Sequence, residues 1–256
     1  MNKIQPPIVE VNGQPHEKHI LLADVNIPYK FTLDRSRNSL IFCINADEFS
    51  DQSFQSVVLD LNSNAVRIVP GIRNGFASAF DHHTGQVYLG GSDGIYKYDY
   101  DTGDVDRPPI VRGVDVFDMY YANDLYYVDT TNLDLHILKN NRDTIIKTVE
   151  DYEINHFAVD DRGNLIFANA AGLYLLKNKS KVPERFDADL NMIRGIAIDV
   201  HGTPYVIAQN GAYSIGVKTK VVTKSLNLHN GYALAFDRDN SIVYGEDRSV
   251  VKLTPL

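Results

Sequence analysis

The amino-acid sequence predicts an all-β fold, a six-bladed β-propeller with four-stranded blades, on three observations. An apolar segment that usually ends in Asp recurs six times, its copies ending at residues 34, 81, 120, 160, 199 and 237 and so spaced 47, 39, 40, 39 and 38 residues apart. Each copy is followed by further short apolar or alternating runs without helical period, four strands to a repeat. The last copy runs out after Val250-Val251-Lys252-Leu253, one strand short, while Lys18 to Ala23 stands unclaimed ahead of the first. That spare strand should pair with Ser249 to Leu253 and close the ring, removing two sheet edges that would otherwise template aggregation.

The strands of a repeat follow from local chemistry. The innermost is read in Tyr29 to Asp34, Phe76 to Asp81, Asp115 to Tyr120, Asn155 to Asp160, Arg194 to Asp199 and Tyr232 to Asp237. Its terminal Asp is a turn residue, whose carboxylate accepts backbone N–H groups, and Gly, Asn and Asp follow it, as in Asp161-Arg162-Gly163-Asn164. The second strand is short and apolar: Leu40 to Ile44, Val87 to Gly90, Leu125 to Val128, Leu165 to Ala168, Pro204 to Ala208 and Ile242 to Gly245. A third often opens on glycine, at Gly94, Gly172 and Gly211, and a more polar fourth covers Val66 to Val69, Val105 to Val111, Thr144 to Val149, Val182 to Phe186 and Val221 to Leu226. Gly90-Gly91-Ser92-Asp93-Gly94 joins two strands and opens no helix, so it is a turn rather than a phosphate cradle. Tyr96, Tyr98, Tyr120 and Tyr121 are expected to pack between blades. Residues 1–14 are expected to form a loosely held arm and residues 15–256 one domain.

Composition narrows the partner. The 256-residue chain is 44% hydrophobic and 10% aromatic, ample for a core, and carries no apolar run that approaches a membrane span. Its net charge of −8 argues against nucleic acid and anionic membrane, which need clustered positive charge. A small molecule or a protein is the expected partner, and a monomer the expected state. Cys43 is the single cysteine, so no intramolecular disulfide forms, and in Leu40-Ile41-Phe42-Cys43-Ile44 it reads as a buried strand residue. Asn178-Lys179-Ser180 is an N-glycosylation sequon in an expected turn.

Equivalent residues at the starts of the six innermost strands should ring one mouth of the axial channel. They are Tyr29, Phe76, Asp115, Asn155, Arg194 and Tyr232, with Lys30 and His156 one position later in their strands. Aromatic faces offer stacking area, and Arg194 and Lys30 can bind a carboxylate or sulfate. The set suits a planar, anionic small molecule. The competing arrangement has Tyr29, Phe76 and Tyr232 plugging the channel while Asp115 pairs with Arg194. Metal-assisted hydrolysis needs more oxygen and nitrogen ligands than Asp115 and Asn155 supply, and no Gly-x-Ser-x-Gly elbow is present. No catalytic residue, metal site or resident cofactor is expected.

The repeat and its ring position resemble the gluconolactonase and regucalcin superfamily, in which that position holds metal ligands. Here Tyr29 stands for the first-blade Glu and Arg194 for the Asp, while Asn155 matches and Asp115 is a stand-in. A cation beside Arg194 would be repelled, so the fold carries over and the metal-dependent lactonase or esterase chemistry becomes the alternative reading. Val11-Asn12-Gly13, His16-Glu17-Lys18, Ile27-Pro28-Tyr29 and the segment from Gly90 to Asp99 are similar to the insect ommochrome-binding proteins. That resemblance implies a secreted, non-enzymatic haemolymph carrier of flat phenoxazinone pigment, exported by a signal peptide that this chain does not include.

Overall fold

A computed structural model of the chain describes residues 6–48 and 50–256. Alternating apolar residues and frequent turn signals leave little room for helix, and the described chain holds one short 3₁₀ turn, Lys147–Tyr152, among strands. In chain order β1 (Ile8–Val11) and β2 (Gln14–Leu22) form a hairpin. The first sheet comprises β3 (Tyr29–Asp34), β4 (Ser39–Asn45), β5 (Phe54–Asp60) and β6 (Val66–Ile68). The second comprises β7 (Ala77–Asp81), β8 (Gln86–Gly90), β9 (Gly94–Asp99), β10 (Asp104–Val105) and β11 (Val111–Arg112). The third is β12 (Val116–Ala122), β13 (Asp124–Asp129), β14 (Leu135–Lys139) and β15 (Arg142–Ile145). The fourth is β16 (His156–Val159), β17 (Leu165–Asn169), β18 (Gly172–Leu176) and β19 (Glu184–Arg185).

The remaining strands are β20 (Ile193–Ile198), β21 (Pro204–Ala208), β22 (Gly211–Ile215), β23 (Val222–Asn227), β24 (Gly231–Phe236), β25 (Ile242–Glu246) and β26 (Ser249–Pro255). Together with the N-terminal hairpin they form one nine-stranded sheet, ordered β20-β21-β22-β23-β1-β2-β26-β25-β24. The innermost strands β3, β7, β12, β16, β20 and β24 each touch the next, and β24 touches β3, so the circuit closes. The fold is thus all-β and propeller-like. Closure is the predicted one: Lys18 lies opposite Leu253 and Ile20 opposite Val251 in the β2–β26 ladder.

Burial follows the same circuit. Ile41 and Val58 of the first sheet share a core with Phe80, Leu89, Tyr96 and Tyr98 of the second. Ala79 and Ile95 of the second meet Val116, Met119 and Tyr127 of the third, and Val128 and Leu135 of the third meet Phe157 and Phe167 of the fourth. Similar clusters join the fourth sheet to β21 and β22, β22 and β23 to β24–β26, and β24–β26 back to the first sheet. The apolar faces of consecutive sheets cover each other, which is what turns a row of sheets into a ring.

The turn reading of the terminal Asp holds in detail. Oδ1 of Asp34, Asp81, Asp160, Asp199 and Asp237 accepts the backbone N–H two residues on, at 2.8–3.0 Å, and all five are buried. Gly90 to Gly94 likewise makes a tight β8–β9 turn, where a Cβ on Gly91 would lie 2.4 Å from the Arg73 carbonyl oxygen.

Two expectations change. The first five residues of the expected loose arm lie outside the described residues, but residues 8–11 are a strand, because Val11 pairs with Leu226 of β23 and the Asn12 N–H donates to the Ser225 carbonyl. Four of the five fourth strands are also shorter than expected, β23 keeping its six residues. Pro108 and Pro109 interrupt the one read over residues 105–111, leaving β10 and β11, since proline has no N–H to give the ladder.

Cys43 is fully buried in β4, and burial raises its thiol pKa. The native protein is therefore expected to leave a thiol reagent such as Ellman's unreacted, with one equivalent released on unfolding in guanidinium. Stoichiometric reaction under native conditions would contradict the packing of β4 against β3 and β5.

Candidate functional site

Four innermost strands carry a bulge near their start: β3 between Tyr29 and Thr32, β12 between Val116 and Asp118, β20 between Ile193 and Gly195, and β24 between Gly231 and Ala233. A bulge breaks the two-residue alternation and re-aims the side chain beside it. In β3 that side chain is Lys30, whose φ of +54° places a lysine in the left-handed region. Its side chain crosses the axis from β3 to the far wall. There Nζ lies 3.0 Å from Asp118 Oδ2 on β12 and 3.1 Å from His156 Nδ1 on β16. His156 Nδ1 is 3.6 Å from the same carboxylate oxygen. The Lys30 and Asp118 side chains are only 8% and 13% exposed, so this is an ion pair largely withdrawn from water.

Burial opposes the Asp118 charge, but the Lys30 ammonium and its hydrogen bond outweigh it and hold the carboxyl below its ordinary pKa. Burial and the Lys30 charge together depress the His156 pKa, so the ring is held neutral.

On the strand-start side of this ion pair lies a layer of aromatic rings. Tyr29 packs against Tyr232 at 5.5 Å between centroids, Phe76 at 6.1 Å and Phe54 at 6.3 Å, and Phe76 continues to Phe117 at 5.6 Å. The Lys30 ammonium sits 4.6 Å from the Phe117 centroid and 5.5 Å from that of Phe76. Arg194 stacks on Tyr232 at 4.3 Å and donates through Nη1 to Asn230 Oδ1 and the Gly231 carbonyl, both at 2.9 Å. Asn230 in turn donates to the Tyr232 hydroxyl at 2.9 Å and to Asp247 at 3.0 Å.

The open space lies on the other side. A cavity of about 560 Å³ follows the axis from Lys30, Asp118 and Arg194 to the turns that end the innermost strands. Its walls carry Phe31, Phe80, Tyr120, Phe157 and Phe236, and its exposed rim includes His82, His83, Asn123, Asp161, Val200 and His201. The mouth is therefore at the strand ends. Arg35 spans part of it, donating through Nε to the Phe236 carbonyl and through Nη2 to that of Ile198, both at 3.2 Å. Neither Arg35 nor Arg194 is in an ion pair among the described residues. Tyr120, half-buried in the wall, has its hydroxyl pKa pushed up to about 12 by burial and is a neutral donor.

The ring residues named from the sequence thus separate into three groups. Lys30 and His156 meet at Asp118, and Lys30 and Arg194 line the cavity. Tyr29, Phe76 and Tyr232 form the aromatic layer, half-buried. Asp115 is exposed and makes no ion pair with Arg194, whose partner is Asn230, while Asn155 donates its backbone N–H to Ala168 on β17. Sequence reasoning missed Asp118, Phe117, Phe54 and Arg35; the first two follow the β12 bulge, which the repeat does not encode.

No group of three or more His, Cys, Asp or Glu side chains among the described residues is placed to hold a metal ion, and no described helix is long and apolar enough to cross a membrane.

No protein-family model matches the chain. It is similar to the ommochrome-binding protein of Manduca sexta, 26% identical over 253 residues that span 96% of this chain and 90% of that protein. The resemblance read from the sequence is therefore borne out over nearly the whole length. Among solved structures, a gluconolactonase of Xanthomonas campestris superposes with a TM-score of 0.74 at 9% identity, covering 100% of this chain and 99% of that one. A calcium-binding regucalcin of Agrobacterium tumefaciens gives 0.72 at 13% identity, covering 92% of each. At such identities the likeness is one of fold.

Proposed function

We propose that this chain is a non-enzymatic carrier of a planar, aromatic, anionic small molecule of the ommochrome type, held in the axial channel of a six-bladed propeller. In this reading the nine-stranded sheet is two blades joined through β1. The observation that carries it is the cavity of about 560 Å³, large enough for a drug-sized ligand, walled by aromatic rings and bordered by two guanidinium groups without acidic partners. The similarity to an ommochrome-binding protein supports the same ligand class. Of the ring residues expected from the sequence, Arg194 and Lys30 line the cavity, His156 braces its floor together with Asp118, and Tyr29, Phe76 and Tyr232 form an aromatic stop beneath that floor, outside the cavity lining. Asp115 and Asn155 fall outside the binding set.

A catalytic divalent cation fits this site poorly. Asp118 and His156 are the two groups that could ligate one near the floor, and the Lys30 ammonium already lies between them. A metal there would compete with a fixed positive charge.

Binding is expected to perturb the absorption spectrum of xanthommatin, with matching heat in calorimetry. Replacing Arg194 by Ala is expected to weaken that binding by about 1.5–3 kcal/mol, the range for a charge-assisted hydrogen bond. Absence of both a spectral change and heat at micromolar protein would refute the carrier reading. Lactone turnover restored by calcium would replace it with the hydrolase reading.

A further inference from the structure

We infer that Asp118 and His156, with the faces of Phe76 and Phe117, form a cation-binding site whose permanent occupant is the ammonium group of Lys30. Four features of cation recognition converge on that one atom: a carboxylate oxygen at 3.0 Å, an imidazole nitrogen at 3.1 Å, and two aromatic faces at 4.6 and 5.5 Å. Asp118 and Phe117 on β12 and His156 on β16 are not ring neighbours of β3, so the lysine must cross the channel to reach them, passing Phe76 ahead of the adjacent β7. It does so from a left-handed backbone conformation at a bulge, which lysine seldom adopts.

The groups of this site stand outside β3, and Lys30 supplies their cation. Carboxylate, imidazole and π-face together suit a primary alkylammonium, and carboxylate with imidazole is part of a coordination sphere for a divalent transition ion. A tethered ammonium cannot be diluted or chelated away. The floor of the channel is therefore closed and metal-independent while Lys30 is present.

Cutting the tether should open the site to added cations. Lys30→Ala is expected to lower the melting temperature, and n-butylammonium or zinc is expected to recover much of the loss while leaving the wild-type value unmoved. Zinc should bind the variant at least about tenfold tighter than the wild type, a difference of about 1.4 kcal/mol. Lys30→Gly, which suits the positive φ, provides the same readout if the alanine variant folds poorly. Adding Asp118→Asn to either variant should abolish the cation response. Equal responses in wild type and variant, no response in either variant, or a response that survives Asp118→Asn would each overturn the assignment.

Discussion

Replacing Asp118 by Ala is expected to destabilise the fold by about 3–5 kcal/mol, as a drop in the urea midpoint at unchanged slope. The Lys30 ammonium has 8% of its side chain exposed and one carboxylate partner. Without that carboxylate it would keep a neutral imidazole and two ring faces, which do not replace an opposite charge in a poorly hydrated channel. Combining Lys30→Met with Asp118→Asn removes both charges, so the double variant should recover most of the loss. Double-variant coupling below about 1 kcal/mol would show that the pair is screened like a surface ion pair.

Acid should act on the same cluster. The groups that face one another here are Lys30, Asp118 and His156. His156 has a folded pKa below its ordinary value near 6.5, so the unfolded chain takes up that proton first and stability falls as pH drops below about 6.5. Asp118, also depressed, adds a second loss below the ordinary carboxylate range, near 4. The His156→Asn variant should shrink the first phase, leaving the share of the likewise depressed His82, and keep the second.

The architecture was legible because strand spacing, turn residues and the missing fourth strand are all local or counting signals. Turn chemistry was equally readable, since Asp34, Asp81, Asp160, Asp199 and Asp237 act on N–H groups two residues away. The site was half legible. Reading one fixed position across six repeats found Lys30, His156 and Arg194, but assumed that each strand keeps its alternation. In β12 the bulge between Val116 and Asp118 shifts that alternation, placing Asp118 in the channel while Asp115 stays exposed at the start. The third copy also lacks the terminal Asp, and β12 runs on to Ala122 before its turn at Asn123. Which end of the channel is open was likewise hidden, because it depends on rings from Phe54 and Phe117 that the aligned position did not include.

A chain lacking residues 1–22 is expected to lose cooperative unfolding and elute as aggregate in size-exclusion chromatography. The deletion bares the edge of β26, whose Val250, Val251 and Leu253 have no exposed surface in the intact ring, and the edge of β23 where Val11 is paired. It also strips Val11 from the core it shares with Leu226, Tyr244 and Leu253, and Leu21 and Leu22 from that around Leu40 and Phe42. Each fully buried aliphatic contributes about 1.5–3 kcal/mol, so losing these side chains and a ladder consumes much of a typical 5–15 kcal/mol of stability. Removing only residues 1–12 separates the two roles of the hairpin. That chain keeps β2 on β26 and should still melt cooperatively, at lower temperature, because closure survives while the β1 staple to β23 is gone. A synthetic peptide of residues 6–24 added to the shorter chain should restore the transition by strand addition. If instead the chain without residues 1–22 melts as the intact protein does, the ring is held shut by its apolar interfaces alone and the β2–β26 ladder is dispensable.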